Sequence, residues 1–271
     1  MLEKYKIHPL KGLGQNFLVN KGAVKRVINA ADIKPDEVIL EVGPGLGALT
    51  EELAKKAKKV IAVEKDRKMV EILKETLKSF ENIEIVQGDI LKLRLKIPKP
   101  YKIVANLPFH LTAPVVRKFL ETAKKNPQHM ILVVQKEVGQ RICSKVPDMN
   151  LLAVSVQFYA EAKIIDYIPR KSFWPRPKVD AAIIKIQIPK SKFQNFDKLG
   201  LAKEKTDLFF KVVRAGFSQP RKQLINNLSQ GLKLNRVKVE GWLKKNGIQS
   251  TQRAETLTLR DWIKLTKSIK I

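Results

Sequence analysis

Between residues 33 and 188 the chain alternates two rhythms of apolar and polar positions. In the first, Val38–Val42, Lys59–Glu64, Ile83–Gln87, 101–105 and His129–Gln135 are short β-branched runs, the pattern of strands in a sheet. In the second, 49–57 and 68–80 repeat apolar residues every three or four positions, the pattern of helices with one buried face. Apolar strands alternating with amphipathic helices predict an α/β domain on a mostly parallel sheet. Two further strands, 162–168 and 179–188, complete a predicted seven-stranded, Rossmann-like sheet. Pro189, Lys190, Ser191 and Lys192 break the pattern, and beyond them the rhythm is helical only, at 206–215, 219–228 and 261–268. The expected organisation is an α/β domain over 1–191 and a small helical domain over 192–271.

Charge narrows what such a protein binds. Lys and Arg number 53 against 26 Asp and Glu, a net charge of +27, and such an excess repels itself unless a polyanion relieves it. Residues 191–271 carry 18 basic and 6 acidic side chains, so positive charge is denser in the helical part. Nucleic acid is the partner this predicts. No apolar run approaches the roughly 18 to 20 residues that span a bilayer, and no membrane association is expected. Cys143 is the only cysteine, which excludes an intramolecular disulfide and a cysteine zinc site. His8, His110 and His129 lack ligand spacing, so no metal is expected. Residues 1–10 have no apolar core before a small-residue cleavage site, and Glu3 is out of keeping with a transit peptide; a cytoplasmic protein is expected.

The run Glu41-Val42-Gly43-Pro44-Gly45-Leu46-Gly47 follows the first predicted strand and opens the first helix, where glycines let backbone approach a ligand. Glu64 ends the second strand some twenty residues on, placed to accept from ribose hydroxyls. Asp89 follows the third strand, placed to accept from an adenine amine while Ile90 covers the base. A dinucleotide loop would have its third glycine at position 48; Ala48 stands there, a tolerated substitute, so the spacing leaves NAD open. Glu41 separates the two readings. A carboxylate there repels a pyrophosphate and suits a sulfonium, which favours S-adenosylmethionine.

After the fourth strand comes Asn106-Leu107-Pro108-Phe109, at the sheet edge where open α/β proteins place their chemistry. An adenine amine is a poor nucleophile because its lone pair is delocalised into the ring. The Asn106 side-chain oxygen, with a main-chain carbonyl at Leu107 or Pro108, can hold such a nitrogen in a more tetrahedral form, and Phe109 can stack on an extruded base. A second aromatic element, Phe173-Trp174-Pro175-Arg176-Pro177, lies between the last two strands. It offers Phe173 as the opposing wall, and Arg176 or Lys178 for RNA phosphate.

With these residues the chain resembles the small-subunit ribosomal RNA adenine dimethyltransferases, almost end to end. The likeness includes Lys11-Gly12-Leu13-Gly14-Gln15-Asn16-Phe17-Leu18, the glycine loop, Glu64, Gln87-Gly88-Asp89, Asn106-Leu107-Pro108-Phe109, Gln135-Lys136-Glu137-Val138 and the Phe173 loop. It continues through Ala215-Gly216-Phe217-Ser218-Gln219-Pro220-Arg221-Lys222-Gln223-Leu224 and Asn226-Asn227-Leu228. The resemblance implies a class I methyltransferase sheet and cofactor contacts at Asn16, Leu18, Gly43, Glu64, Asp89 and Asn106, with Gln15 in the same segment. It implies that the helical domain helps to hold the enzyme, expected as a monomer, on rRNA of the assembling small subunit, with Arg221 and Lys222 on phosphate. Two adjacent adenosines near the 3′ end of that RNA would each receive two methyl groups. The sequence departs from the family at Phe109, where tyrosine is usual, at Thr112 and Ala113, at 147–152, and at Lys65, where an apolar residue often follows the ribose acid. Two competing readings are a large-subunit (23S) rRNA adenine methyltransferase conferring antibiotic resistance and a non-catalytic ribosome assembly factor.

Overall fold

The computed structural model describes Tyr5 and residues 14–121, 127–189 and 203–269, without the side chains of Phe109, Lys203 and Glu204. The motif residues Lys11, Gly12 and Leu13 and the expected domain boundary at 191/192 lie outside the described residues. The chain runs through β1 (Phe17–Leu18), α1 (Lys21–Ala31), β2 (Val38–Val42), α2 (Ala48–Ala54), β3 (Lys59–Glu64), α3 (Arg67–Thr76) and β4 (Ile83–Gln87). It continues with β5 (Tyr101–Asn106), α4 (Thr112–Glu121), β6 (His129–Gln135), α5 (Lys136–Ile142) and α6 (Leu151–Tyr159). Then come β7 (Glu161–Ile168), β8 (Phe173–Trp174) and β9 (Ala181–Gln187).

The main sheet has the order β4-β3-β2-β5-β6-β9-β7, with β9 antiparallel to both neighbours and the first five strands parallel. All seven strands expected from the sequence are there, with ends moved by one or two residues at most. Every position of β2 is buried, as helices on both faces of a parallel strand require. Several helices begin at side-chain caps: Asn20 accepts from Ala23 N–H at 2.8 Å ahead of α1, and Asp66 from Lys68 N–H at 2.9 Å ahead of α3. Two helices are shorter than their apolar rhythm suggests. The first ends at Ala54 rather than 57, and the second at Thr76 rather than 80, where Phe80 N–H turns back to the Leu77 carbonyl.

Packing divides the chain into Met1–Gln140 with Glu161–Ile188, and Arg141–Ala160 with Pro189–Ile271. The second unit contains α7 (Lys203–Gly216), α8 (Leu224–Leu232), α9 (Arg236–Lys245) and α10 (Leu259–Ser268). It also takes in α6, which the sequence reading assigned to the first domain. Ala153, Val154 and Phe158 share a core with Phe209, Leu224 and Trp262, and the Phe158 and Phe209 rings stack at 4.2 Å. The nearly uniform apolar run of α6 does not say which core it joins. The helix expected over 219–228 starts instead at Leu224, after a turn that Lys222 N–H closes on the Gln219 carbonyl at 3.0 Å; Pro220 keeps Gln219 itself out of helical backbone. Asn227, buried in α8, donates to the Gly216 and Gln219 carbonyls at 2.7 and 2.9 Å and pins the turn that precedes it. Among the described residues no helix is long and apolar enough to cross a membrane.

Candidate active site

From β2 the chain steps outward to β3 and β4, then returns to β5 on the other side of β2. Loops leaving β2 and β5 diverge at that switch point, and open α/β proteins bind ligands in the crevice between them. Here the crevice is an open cavity lined by the loops that leave β2, β3, β4 and β5. Gly43 leaves β2 with φ +70°, and a Cβ on it would meet nothing nearer than Pro108 Cδ at 4.0 Å, so bare backbone faces the cavity. Gly45 has φ +56°, and a Cβ there would stand 2.8 Å from the Phe17 ring. Its missing side chain is what lets β1 lie against the loop. In turn β1 pairs antiparallel with β8, setting Phe17 opposite Trp174 and Leu18 opposite Phe173, with the Phe17 and Trp174 rings stacked at 6.3 Å.

Two acids enter the cavity because β3 and β4 pair in parallel, Glu64 beside Gln87, which brings Asp89 to the same edge. Glu64 is only 7% exposed. Its Oε2 accepts from Gly45 N–H at 3.1 Å, and Oε1 from Lys65 and Asp66 N–H at 2.7 and 2.9 Å. Burial pushes this carboxyl above the usual range, while the three backbone donors pull it back. Asp89 accepts from Leu91 N–H at 2.9 Å through Oδ1 and from the Lys65 ammonium at 3.2 Å through Oδ2; the Leu91 bond and then Lys65 hold it below the usual range. The following loop is anchored by Lys118 of α4, which donates to the Ile90 carbonyl and, at 2.9 Å, to that of Leu93.

Asn106 ends β5 and donates from Nδ2 to the Asn16 carbonyl at 2.9 Å, which leaves Oδ1 as the amide atom able to accept from a ligand. Leu107 N–H is tied to the Val133 carbonyl at 3.2 Å, and the Pro108 carbonyl accepts from Leu111 N–H at 2.9 Å as the chain turns into α4. On the facing segment, Gln15 donates to Asp66 at 3.0 Å and Asn16 to the Gly14 carbonyl at 3.2 Å.

Most of the residues singled out in the sequence converge here. Gln15, Asn16 and Leu18 line the cavity on one side and Gly43, Gly45, Glu64, Asp89 and Ile90 on another, and Asn106, Leu107, Pro108 and Phe173 complete the set. Glu41, expected in the cavity, does not line it: it is 1% exposed on the interior strand β2, beside Ala62 and Val104. Burial pushes its carboxyl up to about 8, with the charge of Glu64 adding to the effect. The Thr50 hydroxyl pulls the other way without reaching hydrogen-bond geometry. At neutral pH Glu41 is largely protonated, so it offers no charge to favour a sulfonium over a pyrophosphate. Arg176 and Lys178 are exposed on the loop after β8 and do not line the cavity; Arg221 and Lys222 are exposed in the turn between α7 and α8 of the other unit. The Phe109 side chain lies outside the described residues. His110 also lines the cavity, unforeseen; its signal was its place directly after Pro108-Phe109.

The sequence profile of the ribosomal RNA adenine dimethylase family matches residues 10–270. The ribosomal RNA small subunit methyltransferase A of Dehalococcoides mccartyi (strain CBDB1) is 44% identical over 269 residues, 98% of this chain and 90% of the relative. That of Alkaliphilus metalliredigens (strain QYMF) is 38% identical over 282 residues, 99% and 94% of the two chains. Among solved structures, a dimethyladenosine transferase from Plasmodium falciparum has a TM-score of 0.75 at 27% identity, covering 92% of this chain and 95% of that one. The 23S rRNA methyltransferase ErmE has a TM-score of 0.73 at 26% identity, covering 93% and 98%. The α/β, Rossmann-like methyltransferase sheet expected from the sequence is the observed one, and these two structures share it. Since the match takes in both the cavity-bearing unit and the helical unit, the chain belongs to the ribosomal RNA adenine dimethylase family.

Proposed function

We propose that this chain transfers methyl groups from S-adenosylmethionine to the N6 amines of two adjacent adenosines near the 3′ end of small-subunit (16S) rRNA, giving N6,N6-dimethyladenosine. The observation that carries this reading is that Asn106, its amide nitrogen held by Asn16 and its oxygen left to accept, opens into the same cavity as Glu64 and Asp89. The near-full-length likeness at 44% identity to proteins named for the small subunit supports that RNA over the large-subunit one.

The cavity wall fits S-adenosylmethionine. Glu64 retains lone pairs for ribose hydroxyls, Asp89 offers a carboxylate to the adenine amine, Ile90 supplies an apolar face, and Gly43 allows close approach. When bound, the cofactor supplies an electrophilic methyl group on a positive sulfur, and the chemistry calls for no metal. Asn106 Oδ1 and the Leu107 carbonyl accept from the substrate amine and hold its nitrogen out of conjugation with the ring. Of the two carbonyl candidates Leu107 is favoured, because the Pro108 oxygen already closes the turn with Leu111. Phe173 in the cavity wall, with Phe109, stacks on the extruded base. Alignment of this kind contributes up to about 7 to 11 kcal/mol in favourable cases. Arg176 or Lys178, and Arg221 with Lys222, hold RNA phosphate on the assembling small subunit, and the chain works as a cytoplasmic monomer.

The test is transfer of labelled methyl to unmodified small subunits and, separately, to large-subunit RNA, followed by nucleoside analysis. Dimethyladenosine only in the small subunits is the expected result. Label in large-subunit RNA alone overturns the substrate, and label in neither leaves a non-catalytic assembly factor. Asn106→Ala is expected to lower transfer about 100-fold or more while cofactor affinity stays within a few-fold; near-wild-type transfer by that variant overturns the mechanism.

A further inference from the structure

The two acids of the cavity are held differently. Among the described residues Glu64 is met by backbone N–H groups alone, whereas Asp89 has one oxygen on Leu91 N–H and the other on the Lys65 ammonium at 3.2 Å. Lys65 and Asp89 both line the cavity, and their side chains are 60% and 21% exposed. The oxygen that Lys65 holds is the one no backbone donor reaches among the described residues, so it is the oxygen a ligand amine would use.

We propose that Lys65 is a specificity-determining clasp on Asp89: its ammonium holds Oδ2, and the exocyclic amine of a purine nucleoside has to displace it to bind. This rests on the reading of the cavity as an S-adenosylmethionine site. The juxtaposition follows from register, since Glu64 pairs with Gln87 and so places Lys65 across from the loop that carries Asp89. The lysine stem stays in the wall as apolar cover while its head competes with the amine. A ligand without the amine leaves the ion pair intact and feels the stem only. The clasp therefore weakens binding of 6-aminopurine nucleosides selectively, and salt, which screens an exposed pair, relieves that penalty.

Isothermal titration of the full chain with S-adenosylhomocysteine, and with its analogue carrying unsubstituted purine in place of adenine, tests this without catalysis. Lys65→Met keeps the stem and removes the charge. It is expected to bind S-adenosylhomocysteine about two- to five-fold tighter at low salt, the scale of an exposed ion pair. That gain fades toward about 1 M salt, where the screening length is roughly 3 Å, and is missing for the unsubstituted-purine analogue. Lys65→Arg, which can remake the pair, keeps the wild-type affinity and salt profile. Equal or weaker binding of S-adenosylhomocysteine by the Met variant, with its thermal melt unchanged, overturns the clasp alone. So does an equal gain for both ligands, which would put Lys65 on some other part of the molecule. Binding by none of the proteins overturns the cofactor reading and the clasp together.

Discussion

Glu41 sits on the interior strand β2 with one carboxyl oxygen, Oε2, lacking a hydrogen-bond partner among the described residues, and burial pushes the group from 4.5 up to about 8. An acid raised in this way keeps its proton in the native state while the unfolded chain loses it. Stability tied to Glu41 is therefore full below about 4.5 and declines as pH rises through the interval to about 8, after which it is flat. Glu41→Gln has nearly the same shape and no proton to lose. Relative to wild type it is expected to gain stability between about pH 5 and 8, on the order of a few kcal/mol, in urea unfolding at three pH values. Parallel curves would mean that another group titrates. At this scale the sequence showed residue types and spacing: Glu64, Asp89 and Asn106 fall where strands end, and strand ends are readable. Burial of a single acid is less so, because in a strand buried on both faces the sequence does not show whether Glu41 turns toward the cavity or the core. The Lys65 departure was visible as a residue, but its pairing with Asp89 depends on the register of β3 and β4.

Elements were legible where their apolar pattern is long and regular enough to show a period. The β-branched runs of the main sheet declared themselves, whereas β1 and β8, of two residues each, have no period to read, although together they wall the cavity. In the helical unit α9 went unread: its sequence carries two valines and Gly241, poor helix formers, and it is set by the Asn235 cap, which accepts from Val237 N–H at 2.8 Å. The stretch around Gly216, read for its likeness to a family motif, has a packing role of its own. A Cβ on Gly216 would stand 2.3 Å from Cη2 of Trp262, a fully buried side chain at the centre of the helical core. Gly216→Ala is therefore expected to destabilise the protein by about 1 to 3 kcal/mol in urea unfolding, since an overpacked indole has to leave its rotamer or move α7 and α10 apart. A wild-type midpoint would mean that the core yields at no cost. Part of that motif thus serves packing, and the phosphate contact proposed for it rests on the exposed Arg221 and Lys222 that follow.

At the scale of the whole molecule, a net charge of +27 announced a polyanion, but composition does not say which surface meets it. The residues proposed for the two tasks lie in different units. Every residue lining the cavity belongs to the α/β unit, while Arg221 and Lys222 are exposed in the helical unit, in a turn held rigid by Asn227 rather than at the helix end expected from the sequence. Phosphate contacts act by counterion release, so their number sets the slope of log affinity against log salt, at roughly 0.7 to 0.9 per contact. Replacing both residues by Ala is expected to weaken binding to unmodified small-subunit rRNA and to reduce that slope by about 1 to 2, while affinity for S-adenosylhomocysteine is unchanged. The second measurement gives the first its meaning. A loss in both would point to an unfolded protein, and an unchanged slope with intact cofactor binding would remove these two residues from the RNA surface. The remaining basic groups, among them Arg176 and Lys178 on the loop that follows β8, would then have to carry the contact.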